Sequence, residues 1–151
     1  MSVTSHVYPY TIEDLAEKEI DLATDTIMMG LCTGSASTWG STQEAYKFVS
    51  DVTGAYTEVT SSGYARATLS SPALSVSGAK MIFTCSSPIS FGSDITLTAA
   101  SAFVYDASVG SGDSSYPVIC IIDFGEDVES TSGEWEYSVD GTNGLAYFTS
   151  S

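Results

Sequence analysis

Four carboxylates crowd one short stretch of the chain. Asp123, Glu126, Asp127 and Glu129 lie within residues 117–137, PVICIIDFGEDVESTSGEWEY. Hard oxygen donors at that density are the ligand set of Ca²⁺. The spacing is not that of a twelve-residue EF-hand loop, and Gly125 falls too early for one. The preferred reading is a solvated turn whose carboxylates cap backbone amides, with Ca²⁺ as the alternative. A glycosidase would need two carboxyls facing each other across a cleft, roughly 5–10 Å apart, and this spacing does not arrange them. His6 is the sole histidine, and no G-x-S-x-G elbow presents a serine to it. Cys32, Cys85 and Cys120 sit in or beside apolar runs and match no zinc or redox spacing, so they read as buried free thiols, with one oxidised pair left open. Neither a phosphate loop nor a dinucleotide fingerprint occurs. The sequence offers no catalytic residue and, apart from Ca²⁺, no cofactor.

The aromatic residues say more. Tyr8, Tyr10, Trp39, Tyr46 and Phe48 fall with His6 in the first fifty residues, in an N-terminal arm and a loop-rich segment. Side chains with one apolar and one wet end favour interfaces, so these six are the candidate partner surface. The plainer alternative is that half of them cap the ends of a β body. Trp135 and Tyr137 alternate with Glu134 and Glu136, which puts the aromatic pair on a core face.

These side chains must be positioned by strands. Residues 118–122 form a β-branched apolar run, expected to be a strand buried on both faces. Residues 123–132 then read as a tight acidic connection to a second strand at 133–139. Earlier in the chain, residues 1–10 read as an extended arm. Thr11 and Asp14 mimic a capping box for a helix of about 8–10 residues ending before Asp21, the only substantial helix expected. Residues 25–33 predict the first strong strand, 44–49 a single helical turn, 51–54 a turn and 56–60 a short polar strand. Further strands are expected at 64–69, 74–77, 80–85, 89–91, 95–105 and 145–149, with 108–115 a loop. The fold class is therefore all-β. We expect a single-domain antiparallel β-sandwich or jelly roll of about eight to ten strands (residues 11–151), preceded by the arm and a short helix.

Polarity in the chain comes from Ser, Thr and Gly rather than from charge, and the charge present is one-sided. Nineteen acids face four bases, a formal net charge of -15. Nucleic acid and anionic membrane surfaces are thereby disfavoured as partners. The N-terminus lacks the basic-then-apolar pattern of a signal peptide, and no apolar run approaches the roughly 20 residues that span a bilayer. The expectation is a soluble protein made in the cytosol.

The order of segments resembles a group of small tailed-bacteriophage virion proteins. The segments are KEIDLATDTIMMGLCT, YKFVSDVTGAYTEV, GYARATL, VYD, YPVICIIDFGEDVESTSGEWEYSV and GLAYFT. The matching residues are Asp25, Thr26, Ile27, Leu31 and Thr33, then Asp51 and Val52, then Gly63, Tyr64 and Leu69. Asp123, Phe124, Gly125, Glu126, Asp127, Ser130 and Gly133 complete the set. The resemblance implies a non-enzymatic head decoration or cement protein made in the host cytoplasm. It would bind the major capsid protein on the outer surface of the head and associate with itself as a trimer or dimer. The alternative is a tail-fibre or baseplate module that recognises a host glycan. The Ser-rich loop 34–42 and the Tyr-containing arm depart from the pattern, leaving the partner surface to be located.

Overall fold

A computed structural model describes residues 3–149. The elements are β1 (Thr4–Val7), α1 (Pro9–Ala16), β2 (Ile27–Cys32), α2 (Ser41–Glu44) and α3 (Val49–Tyr56). They continue with β3 (Ala67–Thr68), β4 (Ala73–Ser77), β5 (Lys80–Thr84), β6 (Ile89–Asp106), β7 (Val118–Tyr137) and β8 (Ala146–Thr149). The strands form two antiparallel sheets, ordered β1-β7-β6-β2-β3 and β4-β5-β8. The chain is mostly β, as its composition leads one to expect.

The larger sheet is buried on both faces around β2 and the adjoining halves of β6 and β7, and β2 shows why. Ile27, Met29 and Leu31 face one apolar cluster, which also holds Phe83, Leu145 and Ala146 of the small-sheet side. Cys32 faces a second cluster formed with Ala36, Val49, Val52 and Tyr56 from the segment after β2. A period-two strand that is apolar at every position needs cover on both sides. Here the small sheet and α1 supply one cover, and the α2–α3 segment supplies the other. Gly30 lies between them because the Phe103 ring occupies the space its Cβ would need.

Four expectations are corrected. The first ten residues are not simply an arm: Thr4–Val7 pairs with β7, placing His6 opposite Ile121. The helix begins at Pro9, with Tyr8 as its N-cap residue. Thr11 is therefore inside the helix and buried. Its hydroxyl reaches the carbonyls of Val118 (3.0 Å) and Ile119 (2.9 Å) instead of capping the helix. A second eight-residue helix, α3, stands where a turn and a polar strand were expected. Its start is held by Asp51, whose Oδ2 accepts from the amides of Lys47 (3.0 Å) and Phe48 (2.9 Å).

The fourth correction concerns the acidic stretch. Residues 118–137 are one strand of 20 residues, not two strands around a turn. The register explains the misreading. Between the pairs Ala99↔Val128 and Ser101↔Asp123, two steps along β6 are matched by five along β7. The surplus is a wide bulge at residues 124–127, with Gly125 at φ 76°. Such an irregularity bends a strand without ending it, and glycine takes the positive φ at little cost.

Candidate interaction site

Four of the six residues expected at a partner surface, His6, Tyr8, Trp39 and Tyr46, pack together, and the other two, Tyr10 and Phe48, flank Lys47. His6 on β1 stacks on Trp39, with ring centroids 4.4 Å apart and planes 7° from parallel. Tyr8 touches Trp39 from the other direction at 5.3 Å, and Tyr46 packs 6.4 Å from Tyr8. Lys47 extends the patch: its ammonium lies 5.1 Å from the Tyr10 ring centre and 5.9 Å from that of Phe48. Among the described residues Lys47 makes no close ion pair; its charge lies against these two rings, as cation–π geometry favours, and its field also reaches the Asp14 carboxylate.

Within the patch, depth varies. Tyr8 is fully buried, while His6, Tyr10, Trp39, Tyr46 and Phe48 are half-buried. Beneath the surface, the Tyr8 hydroxyl has no partner among the described residues. Burial, with Tyr56 next in effect, pushes the Tyr8 phenol far above its ordinary value. Burial also pulls the His6 imidazole down, against the nearby Asp123 carboxylate, which raises it. His6 thus presents a largely neutral ring to Trp39 at neutral pH. β1 is the edge strand of its sheet. Beside it runs a groove of about 680 Å³ lined by Thr4, His6, Tyr137, Asp140, Asn143 and Tyr147.

The four acids proposed for Ca²⁺ do not converge. Asp123 is buried, and its Oδ1 accepts from the Ser35 hydroxyl and the Ala36 amide, each at 2.8 Å. That carboxylate ties the Ser-rich loop to β7 and so holds Trp39's segment in place. Glu126, Asp127 and Glu129 are exposed along the bulged strand. Among the described residues no three His, Cys, Asp or Glu side chains are grouped to hold a metal ion. All three cysteines are free; Cys32 and Cys120 are buried and Cys85 is half-buried.

Sequence reasoning passed over Arg66, the only arginine. Its guanidinium makes paired bonds to Glu58 (2.7 and 2.6 Å) and to Asp113 (both 2.7 Å). It also donates to the Tyr105 hydroxyl at 3.2 Å and lies over the Phe103 and Tyr105 rings. Burial opposes the charge, but the two carboxylates outweigh it and hold Arg66 protonated. In return the guanidinium keeps the Asp113 carboxyl below its usual range. A lone arginine among nineteen acids was the one available signal. The bonds tie the β6–β7 loop to the segment before β3, so the cluster is a structural tie. Arg66 is too fully engaged to serve as a free binding group.

No protein-family model, no curated protein and no solved structure matches this chain.

Proposed function

We propose that the protein is a non-enzymatic structural component of a tailed-phage virion, a decoration or cement protein. It would be made in the host cytoplasm and seat on the major capsid protein at the outer surface of the head. The observation that carries this reading is the aromatic patch. His6, Trp39 and Tyr46 pack around the buried Tyr8, and Tyr10 and Phe48 flank Lys47, on an otherwise acidic body. Depleted charge and enriched aromatics are the mark of an interface centre. The residues of the phage resemblance support the same reading through their work in the fold: Ile27 and Leu31 fill the core, Asp51 holds α3, and Asp123 anchors the loop bearing Trp39. None of them is grouped as a reacting set.

We also propose that the two sheets face each other as a sandwich, with the helical segment closing the far side of the larger one. The glycan-binding alternative ranks second. A sugar platform needs an aromatic face turned outward, whereas His6 covers one face of Trp39.

Electron microscopy of the intact particle is the direct test, with density for this fold expected on the head exterior. Density on the tail would favour the glycan module. Absence of the protein from purified particles would sink both. Binding to purified shells should fall in Trp39→Ala and Lys47→Glu variants whose melting temperature is unchanged.

A further inference from the structure

Acidic residues are absent from one long segment of this acid-rich chain. Residues 59–93 contain no Asp or Glu and hold two of the four bases, Arg66 and Lys80. Arg66 is consumed by Glu58 and Asp113, and the Lys80 ammonium donates to Asn143 at 2.8 Å. The segment contains β4, an edge strand of the small sheet. Every residue of β4 is exposed, and Leu74 and Val76 are 38% and 75% exposed. Edge strands are ordinarily protected by charge, proline or a bulge. Within Ala73–Ser77 there is no charge and no proline, and its pairing with β5 runs without a register shift.

We infer that β4 is a self-association edge, where a second copy of this chain pairs antiparallel about a two-fold axis at Ser75. Two bodies of net charge -15 repel each other over most of their surfaces; β4 carries no acid, and Asp21, which lines the groove beside Leu74, shares that groove with Lys18, so this edge is where they can approach. The register fits the side chains. Pairing Ser75 with its own copy sets Leu74 opposite the partner's Val76 and Val76 opposite the partner's Leu74. Both lie on the face of Phe83, Met81 and Phe148, so the pairing joins two short apolar rows into one. The contact also closes on itself, because a two-fold pairing uses the β4 edge of both copies at once. A five-residue edge with one apolar row is a small interface, and contacts below about 1,200 Å² are weak and concentration-dependent.

This inference does not depend on the virion reading, and the test uses the purified full chain alone. Sedimentation equilibrium should show a reversible dimer at twice the 15.8 kDa chain mass. Val76→Lys, at an exposed position, should be monomeric with an unchanged circular-dichroism spectrum. In a Cys85→Ser background, Ser75→Cys should form a covalent dimer with oxidised glutathione much faster than Ser41→Cys, placed in the helical layer. A wild-type monomer throughout, an oligomer untouched by Val76→Lys, or equal cross-linking at the two positions would each overturn the inference.

Discussion

At the scale of single residues, most of the chemistry that looked reactive is holding the chain together. The Arg66 cluster illustrates the sign and size of such ties. Removing one partner of a buried ion pair costs roughly 3–5 kcal/mol. Asp113 is 41% exposed here, so solvent screening lowers that figure. Arg66→Met is expected to destabilise the protein by about 2 kcal/mol in urea melts. Arg66→Lys should recover less than half of the loss, since an ammonium cannot make two paired contacts. A full rescue by lysine would show that charge alone matters. Asp106 works in the opposite sense. Burial, with Asp25 beside it, raises its carboxyl to about 6. The unfolded chain releases that proton near pH 4, so the folded state is favoured below that pH, and the advantage is lost as pH rises through about 6. Asp106→Asn should therefore match the wild type near pH 4 and exceed it at pH 7.5, by on the order of 2 kcal/mol. Equal stabilities at both pH values would remove the argument.

At the scale of elements, the errors of the sequence reading share one cause: local signals were correct about chemistry and silent about context. Gly125 and its acids do carry turn chemistry, but β6 continues opposite them, and the ladder absorbs the turn as a bulge. Thr11 and Asp14 have capping-box spacing, yet the cap is Tyr8 and the helix starts at Pro9, three residues earlier than that spacing implies. Residues 51–54 contain Gly54 and look like a turn, but Val49, Val52 and Tyr56 form a helical stripe buried on the large sheet. What was legible was periodicity over longer runs: β2, the continuous half of β7, and the core face of Trp135. Of the candidate site, the six ring-bearing positions could be picked out by residue type, but the complete burial of Tyr8 could not. Arg66 was not legible, because its partners are 8 and 47 residues away. The α1–β7 junction offers a test at this scale. At the step between Val104↔Cys120 and Tyr105↔Val118 the ladder shifts register, and the Thr11 hydroxyl serves the Val118 and Ile119 carbonyls there. Thr11→Val keeps the shape and removes the donor. Leaving a buried carbonyl short of its bond costs about 1–3 kcal/mol, with amide exchange expected to rise in β1 and α1 before the β6–β7 core. Uniform exchange across the molecule would argue against a local role.

For the whole molecule, the governing quantity is the excess of acids over bases, nineteen against four. Three of the acids, Asp14, Asp106 and Asp123, are buried, which leaves the remainder at or near the surface with almost nothing to neutralise them. Mutual repulsion of like charges opposes the compact state, and it is screened once the Debye length falls from about 30 Å at 0.01 M to about 3 Å at 1 M salt. The melting temperature should therefore climb by a few degrees as NaCl rises from roughly 10 mM to 0.5 M, since about 1 kcal/mol moves a domain of this size by about 2–8 °C. Self-association through the acid-free edge would add to the rise, because salt also lets two acidic bodies approach. The Val76→Lys variant separates the two effects. Its rise should be independent of protein concentration and persist at nearly full size, whereas the wild type should gain a further, concentration-dependent increment. The Arg66 cluster, held at 2.6–2.7 Å and partly exposed at Asp113, is a single attractive site against the whole acid excess and should not reverse the trend. A melting temperature that falls with NaCl in the Val76→Lys variant would mean that attractive ion pairs outweigh the acid excess, and the charge argument for both stability and edge pairing would fail together.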